Sequence, residues 1–232
     1  MSELDEIKKW LRETEDEPLE EMSAFFGARI SDYEEHMSHW KYLYEQIGEL
    51  VPAGAEKLLD LGCGTGLELD EIFKRHPGIQ VVGIDLSPDM LKILGEKHRD
   101  KNLRLIQADY FEEPLDEQEY DVVVSFETLH HFKAEKKAKL FEKIYRSLKS
   151  GGCYLEVDYV ADNDEWEALL FKECERRRKK WNIPEEVFVH FDTPLTLEHE
   201  LQLIRKAGFS DVEVREDENG DGTPIILAKK PV

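Results

Sequence analysis

The sequence predicts an α/β fold in which a mostly parallel sheet is flanked by helices and closed by a C-terminal antiparallel hairpin. Three observations support this prediction. From Lys57 onward, short β-branched runs alternate with longer helical patterns, as in repeated strand–helix–strand units. The first of these strands runs directly into a glycine-rich loop at 62–66. Near the C-terminus, two β-like runs are separated by Asn-Gly and Asp-Gly pairs, which favour tight hairpin turns.

The strands that precede the hairpin are predicted at residues 57–61, 80–85, 103–108, 121–126 and 153–159. Helices are predicted between them at 67–75, 88–97 and 136–148. Ser87 followed by Pro88 is typical of a helix start, and the pair Gly151 and Gly152 predicts the end of the third helix. The hairpin strands are predicted at 209–215 and 224–228, after an amphipathic helix at 196–207 that ends at Gly208.

Two regions lie outside this alternation, and both are expected to be helical covers over one end of the sheet. We predict a single domain over residues 1–232. Its parts are a helical N-terminal cover, the core that binds the ligand, a helical insertion, and a C-terminal helix with its hairpin. Their predicted ranges are 1–51, 52–159, 160–195 and 196–232.

Composition limits the classes of partner. The chain has 232 residues, enough for one α/β domain with a single core. Its 52 acidic and 31 basic residues give a net charge of −21, which argues against nucleic acid or an anionic membrane as partner. An acidic N-terminus and the lack of a long apolar run predict a cytoplasmic protein. Three scattered cysteines without a CxxC pair argue against a disulfide framework.

The glycine-rich loop is the motif that points to a ligand. Gly62, Gly64 and Gly66 follow the buried run LLDL, and such a loop lets backbone N–H groups approach an anionic or polar ligand. The dinucleotide fingerprint GxGxxG requires glycine at position 67, which is Leu67 here. The loop therefore argues against a nicotinamide dinucleotide. Asp85 ends the next strand 19 residues after Gly66, where a carboxylate can accept ribose hydroxyls.

Five motifs in order, LLDLGCGTG, GIDLSPDM, QADYFEEP, DVVVSFETLHHF and LKSGGCYLEVDY, resemble the class I S-adenosylmethionine-dependent methyltransferase family. The resemblance extends from about Lys57 to the C-terminus. It implies a Rossmann-like sheet of seven strands whose last strand is antiparallel. It also implies S-adenosyl-L-methionine as cofactor and S-adenosyl-L-homocysteine as product.

The resemblance implies a set of cofactor-binding residues: Tyr33, Asp60, Gly62, Cys63, Gly64, Gly66, Asp85, Leu86, Met90, Asp109, Tyr110 and Ser125. Asp85 is expected to accept both ribose hydroxyls and Asp109 the adenine amino group, with a turn cap as the alternative for Asp109. Asp60 is expected to hydrogen-bond to loop N–H groups, because a buried unpaired carboxylate is costly. Met90 is expected to contact the adenine or to pack in the core.

Further residues are candidates for the acceptor side or for a lid. Arg29 and Tyr33 are spaced i, i+4 on a predicted helix, so they would share one face. The resemblance implies that Tyr33 closes over the cofactor. Arg29 would pair with a carboxylate of cofactor or substrate, or with neighbouring acids. Glu127 would favour the sulfonium or lie solvated. His190 would join this side from the insertion.

Two adjacent histidines, His130 and His131, lie at the mouth of the predicted site and are candidates for a general base, with packing as the alternative for His131. The pair could instead bind a metal, and His190 and His199 could join it on the insertion side. None of these histidines shows a familiar metal-ligand spacing such as HExxH, so no metal is predicted.

The sequence therefore predicts direct in-line transfer of a methyl group from S-adenosyl-L-methionine to a small-molecule acceptor, by a monomer or homodimer. A protein that binds the cofactor without turnover is the alternative, followed by a nicotinamide oxidoreductase. Neither spacing nor composition identifies the acceptor.

Overall fold

The computed structural model describes residues 3–215 and 222–232 of the chain. Its strands are β1 (Glu20–Glu21), β2 (Lys57–Leu61), β3 (Gln80–Asp85), β4 (Leu103–Gln107), β5 (Tyr120–Phe126), β6 (Leu148–Val157), β7 (Val189–His190), β8 (Asp211–Arg215) and β9 (Ile225–Lys229). Its helices are α1 (Glu3–Glu13), α2 (Met22–Arg29), α3 (Tyr33–Met37), α4 (Lys41–Leu50), α5 (Leu67–Arg75), α6 (Pro88–Lys97), α7 (Ala134–Ser147), α8 (Asp164–Trp181) and α9 (Leu197–Lys206). A short 3₁₀ turn, Ser38–Trp40, joins α3 to α4.

The described strands form a seven-stranded sheet in the order β4-β3-β2-β5-β6-β9-β8. Neighbouring strands from β4 to β6 are parallel, and β9 is antiparallel to both β6 and β8. This order confirms the predicted fold class, including the antiparallel last strand. The chain leaves β2 for β3 on one side and returns to β5 on the other. The carboxyl ends of β2 and β5 therefore form the crevice in which open α/β sheets bind ligands.

Apolar strands place a core on each face of the sheet. Alternate residues of β5 point to opposite faces, so Val124 belongs to one core and Val123 to the other. Helices α4 and α5 cover the first face through residues such as Leu43 and Ile72, and α7 covers the second through Phe141. With both faces covered, β2 is buried from Leu58 to Leu61, as expected of a central parallel strand.

The prediction that Gly151 and Gly152 end the third helix is wrong. Helix α7 ends at Ser147, and β6 begins directly at Leu148. Leu148 pairs with Tyr120 and the next register pair is Cys153 with Val122, so the glycines lie in an irregular stretch inside the strand. The N–H of Gly151 donates to carbonyls at the C-terminal end of the chain. The glycines therefore serve a bulge between strands.

The two covers are joined to each other. Strands β1 and β7 form a small antiparallel sheet, with Glu20 paired to His190. Apolar residues of α1 and α8 also share a buried cluster that includes Leu11, Trp166 and Phe191. The sequence analysis did not predict this sheet, because strands of two residues carry no alternation that could reveal them. The division into cover, core and insertion stays a prediction.

The C-terminal hairpin is confirmed by its strand pairing. Arg215 pairs with Ile225 and Asp211 with Lys229 across β8 and β9. The predicted Asn219-Gly220 turn lies outside the described residues, as does Asp221 of the second pair. Among the helices of residues 3–215 and 222–232, none has the length and apolar character needed to cross a membrane.

Candidate active site

The glycine loop is held by the neighbouring strand rather than by Asp60. The N–H groups of Gly62 and Cys63 donate to the Ile84 carbonyl at 2.8 and 3.2 Å. Gly62 has φ +73°, a backbone conformation that favours glycine, and it packs against Thr128. The end of β3 therefore fixes the shape of the loop after β2.

Asp85 completes this arrangement at the end of β3. Its carboxylate accepts the N–H of Gly64 at 2.9 Å and the N–H of Ser87 at 2.7 Å. Burial raises the pKa of Asp85, and these N–H donors act in the opposite direction. Asp85 thus orders both the glycine loop and the start of α6 while it lines the cavity beside them. Its expected contact with a ribose stays a prediction.

The end of β4 supplies two more predicted residues. Asp109 Oδ1 accepts the N–H of Phe111 at 2.9 Å, so the turn-cap alternative is present in the structure, and Asp109 also lines the cavity. The Tyr110 hydroxyl donates to the Thr128 carbonyl at 3.1 Å. Met90 is buried on α6, and its N–H donates to the Ser87 hydroxyl, so it packs and faces the cavity at once.

We call the space at these strand ends the cofactor cavity. Predicted cofactor residues that line it are Tyr33, Gly62, Gly64, Asp85, Leu86, Met90, Asp109 and Tyr110. Lining residues that the sequence analysis missed are Met22, Ser23, Phe26, Ser87, Phe126, Thr128 and Phe132, and Phe188 of the insertion also lines the cavity. The cavity measures about 80 Å³, whereas small-molecule sites usually measure about 300–1,000 Å³. Cofactor binding therefore requires lining side chains such as Phe26 and Tyr33 to move.

Four of the residues predicted to bind the cofactor do not line this cavity: Asp60, Cys63, Gly66 and Ser125. Ser125 is buried, and its hydroxyl hydrogen-bonds to the Tyr154 hydroxyl at 2.7 Å. Cys63 is packed against Gly83 in the core. Gly66 precedes α5 and lies against Leu94. Their positions give them structural roles beneath the loop.

Asp60 forms a buried acidic pair with Glu68. Both side chains are buried, and neither Asp60 oxygen makes a hydrogen bond to the described residues. The expectation that loop N–H groups bind Asp60 is therefore wrong, because those groups donate to Ile84 and Asp85 instead. Burial and the nearby Glu68 carboxylate raise the pKa of Asp60, and burial raises the pKa of Glu68 to about 7.

A second space, the histidine cavity, lies beside the first and measures about 650 Å³. The two cavities share Phe26, Tyr33, Glu127 and His131. The histidine cavity is also lined by groups from the N-terminal cover, the loops after β5 and β6, and the insertion: Arg29, Asp32, His36, Trp40, His130, Tyr159, His190 and Asp192. The structure thus brings both predicted bases and all the predicted lid residues to one space.

His130 is bound to a carboxylate that the sequence analysis missed. Its Nδ1 lies 2.5 Å from Asp158 Oδ1, and Asp158 also accepts the N–H of Leu129 at 2.8 Å. Burial alone would lower the pKa of His130, but the Asp158 carboxylate outweighs burial and raises it to about 9. A histidine held in this way is a poor general base.

His131 has the opposite character. Burial, together with the neighbouring His130 and His190, lowers the pKa of His131 well below its usual range. Its Nδ1 is buried and makes no hydrogen bond to the described residues, although Asp192 Oδ1 lies 3.3 Å away. His190 stacks on Phe25 with ring centroids 3.5 Å apart. His131 is therefore the neutral ring that both cavities share.

The prediction that Arg29 and Tyr33 share one helix is wrong. Helix α2 ends at Arg29, α3 begins at Tyr33, and a turn separates them. Arg29 pairs with Glu20 at 3.0 Å and lies over the Phe25 ring, which matches the alternative of pairing with a neighbouring acid. Both residues nevertheless line the histidine cavity.

Glu127 is the first residue after β5, and its backbone has φ +47°. Such a backbone conformation costs a non-glycine residue roughly 1–3 kcal/mol and is concentrated at functional sites. Its carboxylate lies 3.7 Å from His130 Nδ1. Glu127 lines both cavities, and its expected proximity to the sulfonium stays a prediction.

Comparison with known proteins agrees with this geometry. The profile of a family described as a methyltransferase domain matches residues 58–152. Carboxy-S-adenosyl-L-methionine synthase of Nautilia profundicola is 27% identical over 169 residues, which cover 68% of this chain and 71% of that protein. Phosphoethanolamine N-methyltransferase of Plasmodium falciparum is 31% identical over 125 residues, which cover 53% of this chain and 46% of that protein.

The fold is shared with solved structures. Human N-acetylserotonin methyltransferase, solved in complex with S-adenosylmethionine, aligns with a TM-score of 0.60 at 22% identity, covering 91% of this chain and 60% of that chain. The matched domain, the named relatives and the seven-stranded sheet agree with the five sequence motifs. Together these findings support the class I S-adenosylmethionine-dependent methyltransferase family for this chain, with S-adenosyl-L-methionine as cofactor.

Proposed function

We propose that this enzyme transfers the methyl group of S-adenosyl-L-methionine to a small-molecule acceptor bound in the histidine cavity. One observation supports the proposal above all: the two cavities are adjacent and share the lining residues Phe26, Tyr33, Glu127 and His131. Donor and acceptor bound on either side of these groups would meet at their boundary. The cofactor cavity itself contains the glycine loop, Asp85 and Asp109.

The reaction is an in-line displacement. A lone pair of the acceptor forms a bond to the methyl carbon while the carbon–sulfur bond breaks, and its electron pair stays on sulfur as the sulfonium becomes a neutral thioether. Alignment of the two reactants in a site that excludes water supplies most of the acceleration of such a step. Phe26, Phe126 and Phe132 provide apolar walls for this exclusion.

The acceptor side contains aromatic rings, a carboxylate and histidines that could contact the acceptor. The face of an aromatic ring and the Glu127 carboxylate both favour a positive charge near them. Of the two histidines predicted as bases, His131 remains the candidate, because the Nδ1 of His130 is bound to Asp158. His131 lines both the cofactor cavity and the histidine cavity.

Calorimetry with S-adenosyl-L-homocysteine and a turnover screen with labelled cofactor test the proposal. The wild type should bind the product and form it from S-adenosyl-L-methionine when the correct acceptor is present. Asp85→Asn should weaken binding about tenfold or more, because a hydrogen bond to a charged acceptor contributes about 1.5–3 kcal/mol. Asp89→Asn is the matched control, because Asp89 is exposed on α6.

The names of the relatives guide the choice of acceptors. Phosphoethanolamine is the acceptor named for one relative, so amines and their phosphate esters belong in the screen. Another relative is named for carboxylation of the cofactor, so the assay must identify S-adenosyl-L-homocysteine as the product. Product binding without transfer to any acceptor would favour the non-catalytic alternative. Equal binding by wild type and Asp85→Asn would contradict the assigned cofactor site.

A further inference from the structure

We propose that His130, His131 and Asp192 form a divalent metal site at the wall of the histidine cavity, with open coordination positions for the acceptor. The metal site itself is argued from the structure alone, and its use by the acceptor rests on the proposed function. The sequence analysis predicted no metal because it judged spacing along the chain.

The three side chains converge on one point. Asp192 Oδ1 lies 3.3 Å from His131 Nδ1 and 3.6 Å from His130 Nε2. One ligand atom from each residue lies within 4.8 Å of the other two. Ligands that share a transition metal at bond lengths of about 2.0–2.2 Å stand about 3–3.5 Å apart. The observed spacing therefore needs only a small inward movement to hold an ion.

The second nitrogen of His130 is oriented as in many metal sites. Its Nδ1 is bound to Asp158 Oδ1, so Nε2 is directed toward Asp192. Asp158 is itself fixed by the N–H groups of Leu129 at 2.8 Å and Tyr159 at 3.0 Å. A carboxylate that orients a histidine from behind is the usual outer partner of a metal ligand.

The buried Nδ1 atom of His131 is an independent indication of a bound cation. Its side chain is only 3% exposed, and its Nδ1 makes no hydrogen bond to the described residues. With the ring proton on Nε2, the Nδ1 atom carries a lone pair. Nδ1 then presents a lone pair to a carboxylate oxygen, also an acceptor. A cation between the two atoms satisfies both.

The site is built into the fold and open on one side. The N–H of Thr193 donates to the His130 carbonyl at 2.8 Å, which holds the Asp192 segment beside the two histidines. The Asp192 side chain is 46% exposed, and all three ligands line the histidine cavity. Three protein ligands leave at least one coordination position for a small molecule.

The ligand set indicates the class of metal and of acceptor. Two imidazoles and one carboxylate suit zinc, iron, cobalt or manganese better than magnesium or calcium. A hydroxyl that binds such a metal loses its proton to water more readily. The resulting oxygen could then attack the methyl carbon while the carbon–sulfur electron pair moves to sulfur. We therefore expect an acceptor that carries a hydroxyl group able to bind metal.

Titration of the chelator-treated, untagged protein with Co²⁺ tests the site, because visible absorption of bound Co²⁺ reports its ligands. We expect one Co²⁺ per chain and its displacement by Zn²⁺. His131→Gln and Asp192→Asn should each weaken Co²⁺ binding at least about tenfold. His199→Gln is the matched control, since His199 pairs with Glu167 outside the cavity and should leave Co²⁺ binding unchanged.

Calorimetry with S-adenosyl-L-homocysteine on the same variants separates this inference from the proposed function and checks that each variant is folded. Product binding with no Co²⁺ binding by the wild type would overturn the metal site and leave the methyltransferase proposal intact. Co²⁺ binding that persists in both cavity variants would also overturn it, because the ion would then lie elsewhere. Loss of Co²⁺ in both cavity variants, with product binding retained by Asp192→Asn, would support it, because Asp192 lines the histidine cavity and not the cofactor cavity.

Discussion

Gly62 and Thr128 are packed so closely that a Cβ on Gly62 would lie 2.4 Å from Thr128 Oγ1. This contact joins the loop after β2 to the loop after β5. The Tyr110 hydroxyl also contacts Thr128 Oγ1 at 3.0 Å, which brings the residue after β4 to the same point. Three strand ends are thus locked together at the mouth of the cofactor cavity.

Gly62→Ala should lower the free energy of unfolding by roughly 2–4 kcal/mol, because the new Cβ meets both an unfavourable backbone conformation and Thr128. Urea unfolding would measure the change. Gly54→Ala is the control, since no heavy atom lies within 4 Å of a Cβ there. Equal stability of the two variants would contradict the packing described above.

Stability should fall as pH rises through the range set by Glu68. Its pKa is raised from 4.5 to about 7 by burial, so between these values the folded chain holds a proton that the unfolded chain releases. The stabilisation from the neutral, buried Glu68 carboxyl is complete below pH 4.5, its pKa in the unfolded chain, and is lost as pH rises to about 7, its pKa in the folded chain. Each unit of difference between the two pKa values corresponds to about 1.4 kcal/mol of stability. Urea unfolding at several pH values measures the slope.

Glu68→Gln should flatten that slope and stabilise the protein at pH values above the folded pKa, because an amide stays neutral when buried. Glu96→Gln serves as the control, since Glu96 is exposed on α6. An unchanged slope in Glu68→Gln would mean that other groups dominate the pH dependence.

Replacing only Lys137 of the Lys137–Glu200 ion pair should destabilise the protein more than replacing both residues. Lys137 Nζ lies 3.0 and 2.9 Å from the two Glu200 oxygens, and both side chains are at most 2% exposed. Lys137→Met leaves a buried carboxylate unpaired and should cost about 3–5 kcal/mol. The double variant Lys137→Met/Glu200→Leu should recover most of this loss in thermal or urea unfolding. A double variant less stable than the single one would contradict this account.

Cofactor binding should change the backbone dynamics of α2 and α3. The cofactor cavity of about 80 Å³ is lined by Met22 and Phe26 of α2 and by Tyr33 of α3, and we expect this lining to move to admit a ligand. Hydrogen exchange with and without S-adenosyl-L-homocysteine should therefore differ in α2 and α3. The buried strand β2 provides the internal control. Identical exchange in α2 and α3 in the two states would show that this cover is not displaced.

The sequence alone determined the sheet and the cofactor edge, because both depend on local pattern. Apolar runs that end in glycines or an acid revealed β2 and β3, and the motif spacing placed Gly62, Gly64 and Asp85 at one edge. Leu67 at the sixth position departs from the dinucleotide fingerprint, and it is the first residue of α5. These features need only short segments and the rule that parallel strands end together.

The tertiary structure decided what faces these residues. Asp60 does not accept hydrogen bonds from the loop as expected, because the loop N–H groups donate to the Ile84 carbonyl and to Asp85 instead. His130, His131 and Asp192 became neighbours only because the insertion folds back over the end of β5, and Asp158 bonds to His130 from the next strand. Contacts between segments far apart in sequence depend on packing, whereas a strand or glycine loop is encoded by its own residues.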